Sequence, residues 1–451
     1  MKTKHVYDCT QCGCRSPRWQ GQCPACGQWN TLVAVAAAPS NKPQPTGAGH
    51  AAKPLDSVST DNLSAQPTGF PALDRVLGQG LTPGSAVLLG GEPGIGKSTL
   101  LLQLAGKMAA SGRGAVYLSG EESLTQLRQR AARLGLLPDS GRADSGPGLL
   151  ALASTSADEA VEVLASPDAP DLFIVDSVQT LNSSRAEGLP GSVSQVRAVA
   201  SELVEQVKRG RTALILVGHV TKDGQIAGPK LLEHMVDTVL SLEGDRREWY
   251  RVLRVLKNRF GPSDELVLFQ MREEGMQVVE DPSTLFLDHR DPSLSGSALA
   301  LAVEGNRPFA VEVQALAARS HLSIPRRATV GFDANRLHLL LAVLEKRLGL
   351  NLGQADVFVK IGGGLAMRDP GLDLALAAAV LSSFYDRPLP ENAAFWGELD
   401  LNGLIRPAPG HETRLKQAQR LGYGPLFYAG NGGKEGCRTL GELQGALFGK
   451  G

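Results

Sequence analysis

The chain has 451 residues, with 46 Lys and Arg against 46 Asp and Glu, 42% hydrophobic and 20% charged residues. The balanced charge excludes an all-over basic coat, so any nucleic-acid surface is a local patch, and the composition argues against global disorder. No apolar run reaches the roughly 18 residues of a membrane helix; Leu374–Leu381 comes nearest. Met1–Tyr7 carries basic residues but no apolar segment follows, so it does not read as a secretory signal. Five of the six cysteines crowd into Cys9–Cys26, a metal-site pattern expected in the reducing cytoplasm rather than a disulfide framework.

Residues 1–33 hold two Cys-x-x-Cys turns, Cys9 and Cys12, then ten residues, then Cys23 and Cys26. Each turn aims two thiolates at one point, and two turns complete a tetrahedral Zn2+ site. Gly13 and Gly27 follow the pairs, where the turn needs positive φ. A small four-cysteine zinc ribbon held by its metal is expected, with a thioredoxin-like redox pair as the lesser alternative. Cys14 is surplus to the tetrahedron. Lys2, Lys4, Arg15 and Arg18 against Asp8 make the module basic, which suits DNA, an acidic partner, or simple docking onto protein. Residues 34–57 are rich in Ala, Pro and Gly without an amphipathic period and read as a flexible linker.

Residues 58–285 alternate apolar runs with helical patterns. Ala86–Leu89, Ala115–Leu118, Leu172–Val175, Ala213–Val217 and Val252–Leu256 read as strands, most of them apolar throughout, as in an α/β sheet covered on both faces. The first runs into Gly91-Glu92-Pro93-Gly94-Ile95-Gly96-Lys97-Ser98-Thr99, a phosphate loop opening a helix over Ser98–Ala109. In such a loop backbone N–H groups and the helix N-terminus converge on phosphates. Lys97 is expected on the β and γ phosphates of ATP, and Ser98 on Mg2+. Asp176 ends an apolar strand in the Walker-B manner and is expected in the Mg2+ shell. Ser119-Gly120-Glu121-Glu122 ends another strand, where RecA-type ATPases carry the Glu that polarises the attacking water. Glu121 is the candidate; Glu122 is the alternative, or a helix-start carboxylate favoured by the dipole. His219 and Thr221 follow a further strand, suiting a γ-phosphate sensor or a satisfied strand-end histidine. Lys222–Lys230 is Gly-rich and basic at both ends, suited to a phosphate backbone. Arg251, Arg254 and Lys257 recur every three residues and by spacing alone read as a solvated basic face. Residues 286–451 open with an alternating run, Phe309–Val313, and continue into helical patterns at Leu337–Leu348 and Leu372–Phe384.

Lys257-Asn258-Arg259-Phe260-Gly261 resembles the signature of the bacterial RadA (Sms) family of recombination and repair ATPases. Ser119–Ser123, Leu232–Asp237 and the whole layout resemble that family as well. The resemblance implies a RecA-like P-loop ATPase core that assembles as a homo-hexameric ring on single-stranded and branched DNA. It also implies branch migration alongside a RecA-type recombinase. It gives Lys257 and Arg259 a role as cations supplied to a neighbouring subunit's ATP, without deciding which of them reaches the γ phosphate. Arg185 and Arg197, with Lys222 and Lys230, become candidates for gripping DNA in a central channel. The resemblance further implies that residues 286–451 form a Lon-protease-like α/β domain. Lon enzymes use a Ser nucleophile and a Lys base. Aligned on Arg387-Pro388 and Gly397-Glu398, those positions fall on Gly371 and Glu412, so an inactive scaffold is expected. Lys346, Arg347, Lys360, Arg414, Lys416 and Arg420 are candidate DNA-facing charges there. The expected function is a DNA-dependent ATPase motor; a nucleotide-gated repair adaptor and an ATP-dependent protease are the alternatives.

Overall fold

The computed structural model describes residues 5–9, 15–16, 18–24, 26–36, 64–137, 148–218, 231–244, 249–263, 265–287, 290–305, 307–362, 367–430 and 436–449. The chain divides into two compact units, Met1–Thr60 and Asp61–Gly451. Among the described residues no helix is long and apolar enough to cross a membrane.

In the first unit, β1 (His5–Cys9) pairs antiparallel with both β2 (Arg15–Ser16) and β3 (Leu32–Ala36). Strand β3 therefore runs three residues into the stretch read as linker. Cys23 and Cys26 flank a turn in which the Gly27 N–H donates to the Cys23 carbonyl at 2.9 Å, with Gly27 at φ 69°. Cys23 is buried and Cys26 exposed. Cys12 and Cys14 lie outside the described residues, and among the described residues no three His, Cys, Asp or Glu side chains converge.

In the second unit, α1 (Pro71–Leu77) leads to β4 (Ala86–Gly91), α2 (Lys97–Ala110), β5 (Ala115–Ser119) and α3 (Leu124–Arg133). Then come β6 (Leu149–Ala153), α4 (Ala157–Ala165), β7 (Leu172–Asp176), α5 (Val193–Arg209) and β8 (Ala213–Val217). α6 (Leu231–Met235), β9 (Thr238–Glu243), β10 (Tyr250–Asn258), β11 (Leu266–Arg272) and β12 (Gly275–Val278) follow. These strands form one nine-stranded sheet in the order β12-β11-β10-β9-β4-β8-β7-β5-β6. From β9 to β6 all neighbours are parallel; β10, β11 and β12 extend one edge antiparallel. All six residues of β4 are buried, as a parallel strand covered on both faces requires. The chain leaves β4 for β5 across β8 and β7, so the carboxyl ends of β4, β7 and β5 flank a switch point, where α/β sheets open a crevice.

The C-terminal part begins with α7 (Pro282–Leu287), β13 (Ser297–Glu304), β14 (Arg307–Arg319), β15 (Arg327–Val330), α8 (Ala334–Leu348) and β16 (Ala355–Ile361). α9 (Leu372–Tyr385), β17 (Ala394–Trp396), β18 (Glu398–Leu399), β19 (Ile405–Arg406), α10 (His411–Leu421), β20 (Leu426–Tyr428) and α11 (Leu440–Phe448) complete it. Its six-stranded sheet runs β15-β16-β14-β13-β17-β20. Leu372 through Ser382 are all buried, making α9 a core helix rather than an amphipathic one. The two sheets share a core. Val252, Leu266 and Leu268 belong to the same apolar cluster as Val311, Leu376 and Phe395. Arg254 Nη1 donates across the junction to Glu304 at 2.6 Å. Cys437 is buried, and burial pushes its thiol up to about 11, which makes it an inert packed cysteine.

One buried ion pair organises the C-terminal part. Arg414 Nη2 donates to Asp369 Oδ1 at 2.7 Å, with both side chains at 1–2% exposure. The same carboxylate accepts the Gly371 N–H at 2.8 Å and, on Oδ2, the Val303 N–H at 2.8 Å. Arg414 also donates to the carbonyls of Pro409 and Leu301. Arg414 therefore belongs to the core and is corrected from the candidate DNA-facing charges; Lys346, Arg347, Lys360, Lys416 and Arg420 are exposed. Removing one member of such a pair strands a buried charge. Asp369→Ala is expected to destabilise the chain by about 3–5 kcal/mol, read as a lowered urea midpoint.

Candidate nucleotide-hydrolysis site

The loop after β4 turns through Gly94 and Gly96, both with positive φ (77° and 116°), before α2 begins at Lys97. Lys97 is 5% exposed and its Nζ donates to the carbonyls of Gly91 (2.7 Å) and Glu92 (3.0 Å). A cavity of about 370 Å³ lies over this loop. It brings together Pro93, Gly94, Gly96, Lys97, Ser98 and Thr99 from the loop and helix start, Glu121 and Glu122 from the end of β5, and Asp176 from the end of β7. Register explains the convergence: Ser119 pairs with Asp176 across β5 and β7, which sets the two acidic strand ends side by side. The set carries what phosphoryl transfer from ATP needs: a loop-borne ammonium, a hydroxyl and a carboxylate able to hold a divalent cation, and further carboxylates for water.

The two glutamates differ. Ser119 Oγ accepts the N–H groups of Glu121 (3.3 Å) and Glu122 (2.9 Å), fixing the turn. Glu122 forms an ion pair with Arg130 of α3. It is not a helix-start carboxylate, because Ser123 is the N-cap of α3 and closes a capping box with Gln126. Glu121 is exposed toward the cavity. Arg130 and Arg133 also line it, and nothing in their spacing predicted that.

Two residues behind the site are visible only in three dimensions. Tyr117 is 1% exposed, and its hydroxyl donates to Asp176 Oδ2 at 2.5 Å. Arg251 is 5% exposed, and its Nε donates to the carbonyl of Ile95 in the phosphate loop at 3.0 Å. Arg251 is thus no solvated charge. Alternate strand residues face opposite sides, so the three basic residues of β10 cannot share a face. Arg251 meets the phosphate loop, Arg254 meets Glu304, and Lys257 lies beyond a bulge after Val255.

Lys257 and Arg259 are not among the residues lining the cavity. Lys257 Nζ donates to the carbonyls of Glu233 and Val236, both at 2.7 Å. Burial, with Arg259 nearby, lowers its pKa from the ordinary lysine value. Arg259 is exposed and its Nη1 lies 3.5 Å from Asp237 Oδ1. Asn258 pairs with Thr238, which pairs with Val87, so the motif sits at the start of β4 while the phosphate loop begins at its end. Gly91 lies four residue steps beyond Val87, roughly 13 Å at the strand rise of about 3.3 Å per residue. The rest of the motif holds position. Asn258 Nδ2 donates to the Val76 carbonyl at 3.0 Å, and a Cβ on Gly261 would lie 2.7 Å from Gly78 Cα.

Of the candidate DNA contacts, Arg185 and Arg197 are exposed near and on α5. The segment before the exposed Leu189 is pinned, because Gln195 bonds the backbone of Ser183 and Ala186, and Ser183 Oγ bonds Glu202. Lys222 and Lys230, with His219 and Thr221, lie outside the described residues. Arg251→Met is expected to weaken nucleotide binding roughly tenfold, the cost of one charge-assisted hydrogen bond to the loop, measured by fluorescent-nucleotide titration.

The AAA domain family matches residues 51–225, and the rubredoxin metal binding domain family matches residues 7–34. The DNA repair protein RadA of Rickettsia felis is 44% identical over 427 residues, covering 94% of each chain. That of Pseudomonas aeruginosa is 46% identical over 426 residues (94% of this chain, 92% of its own). That of Bacillus subtilis is 42% identical over 430 residues, with the same coverage. Among solved structures, the KaiC-like protein PH0186 of Pyrococcus horikoshii OT3 covers 48% of this chain and 99% of its own at 21% identity, with a TM-score of only 0.39. With a P-loop ATPase core behind a zinc-ribbon-type module, and near full-length identity above 40% to several such proteins, the chain belongs to the RadA family of DNA repair proteins.

Proposed function

We propose that the protein is a DNA-dependent ATPase of recombinational repair, a ring-shaped motor that drives branch migration on single-stranded DNA. The observation that carries the ring reading is the position of the cation pair. Lys257 and Arg259 lie at the opposite end of β4 from their own phosphate loop. In a head-to-tail ring that end meets the neighbour's site, so hydrolysis there depends on the subunit contact. Six subunits, as in the replicative helicases, are our reading of the ring.

In this reading Lys97 and the loop N–H groups bind the phosphates of ATP, and Ser98 and Asp176 hold Mg2+. When bound there, Mg2+ would supply neutralisation of charge on the transferred phosphoryl group. Glu121 orients and deprotonates the water, Glu122 being held by Arg130. Arg185, Arg197, Lys222 and Lys230 grip DNA phosphates without reading sequence. Cys9, Cys12, Cys23 and Cys26 hold Zn2+ in the module at 1–33, tethered through 34–57 to the ATPase region at 58–285. Residues 286–451 serve as an inactive Lon-like scaffold. A Cβ on Gly371 would lie 2.8 Å from Arg414 Cζ, so the position of the lost nucleophile abuts a fixed guanidinium. That observation disfavours the protease reading. A RecA-type recombinase is the proposed partner and the cytoplasm the proposed compartment.

The test is ATP hydrolysis with and without single-stranded DNA, together with branch movement on a three-stranded substrate. Wild type is expected to be stimulated by DNA and to move the branch, with stimulation falling as salt rises. Lys257→Ala is expected to lose about 10³-fold in turnover while still binding nucleotide. Hydrolysis indifferent to both DNA and Lys257 would instead favour the adaptor.

A further inference from the structure

Tyr117 sits in the middle of β5, paired with Ile174 of β7 and Ala151 of β6, where an aliphatic side chain would serve the core equally well. A buried hydroxyl is costly unless bonded. This one donates to Asp176 Oδ2 at 2.5 Å, and the Ser98 side chain lies beside it. Those are the two residues assigned above to the divalent cation, and they come from different elements, α2 and β7. Tyr117 itself stands behind them, outside the lining of the cavity.

The proton bookkeeping is constrained. A phenol hydroxyl carries one proton and so has one hydrogen bond to give. Here that proton goes to Asp176 Oδ2, which leaves the phenolic oxygen able only to accept, as it could from the neighbouring Ser98 hydroxyl. A Ser98 proton turned toward the phenol would leave the hydroxyl's lone pairs to a cation in the cavity that Ser98 lines. Asp176 keeps its second oxygen for the ion or an ion-bound water.

We infer that Tyr117 is a positioning residue for the divalent cation, fixing the Ser98 hydroxyl and the Asp176 carboxylate in their metal-binding orientations. The inference rests on reading the cavity as a Mg2+–nucleotide site. Partners behind metal ligands characteristically set ligand orientation, and their loss costs about ten- to a hundredfold in metal affinity.

The experiment titrates Mg2+ against binding of a fluorescent ADP analogue by the full chain, with Mn2+ binding followed by electron paramagnetic resonance as a readout independent of turnover. In Tyr117→Phe, nucleotide affinity without metal should match wild type, whereas the Mg2+ concentration giving half the effect should rise about tenfold or more. Ser98→Ala supplies a second arm: in that background Tyr117→Phe should still raise the Mg2+ requirement, because the bond to Asp176 is lost, but by less than in wild type. An unchanged Mg2+ dependence in Tyr117→Phe, or a full additional loss on top of Ser98→Ala, overturns the inference. A wild type that gains nothing from Mg2+ overturns the reading of the site along with it.

Discussion

Asp237 holds the two functional ends of the ATPase core in one frame. It is 2% exposed, and Oδ2 accepts the Ala86 N–H at the start of β4 (3.0 Å) and Lys208 Nζ from α5 (2.5 Å). Its carbonyl accepts the Arg259 N–H, and its own N–H donates to the Ala86 carbonyl. One carboxylate thus latches the cation motif to the beginning of the strand whose far end carries the phosphate loop. The strand between the latch and the loop, β4, is buried throughout and close-packed. In the proposed ring, a displacement at one nucleotide site would reach, along this strand, the cations proposed to serve the next.

The same sheet is anchored on its other face. Strands β10 and β11 share a core with α9, and Arg254 bridges to Glu304 on β13. β13 is in turn fixed through Val303 and Leu301 to the Asp369–Arg414 pair. β10 therefore contacts the phosphate loop through Arg251, the C-terminal part through Arg254 and the helix end at Val236 through Lys257. The C-terminal part braces the strand that carries the motif, a role that needs no nucleophile.

Much of this was legible in the residues. The phosphate loop, the Walker-B strand and the glutamate turn are encoded by local patterns, and the cavity draws on all three. The five expected strands occur, with β10 running from Tyr250 to Asn258 rather than over Val252–Leu256 alone. Strand β6 carries no legible signal, because it is a half-exposed edge strand with no alternating pattern. By sequence Arg414 reads as a surface charge because charges are usually solvated; only the fold supplies the buried carboxylate 45 positions away. Arg251 was hidden by a spacing of three, which means nothing on a strand. Tyr117 leaves one faint signal, a phenol in the middle of a fully buried strand, where its hydroxyl needs a partner.

The claim that cations act across a subunit boundary is tested most directly by mixing two inactive variants, Lys97→Ala and Lys257→Ala. Neither alone has a complete site. A mixed ring pairs the intact phosphate loop of one with the intact Lys257 of the other, and random equal mixing completes about a quarter of the sites. The account predicts DNA-stimulated hydrolysis recovering toward that fraction as the variants are mixed. Mixtures that stay as inactive as either variant, although rings form and exchange subunits, would contradict it.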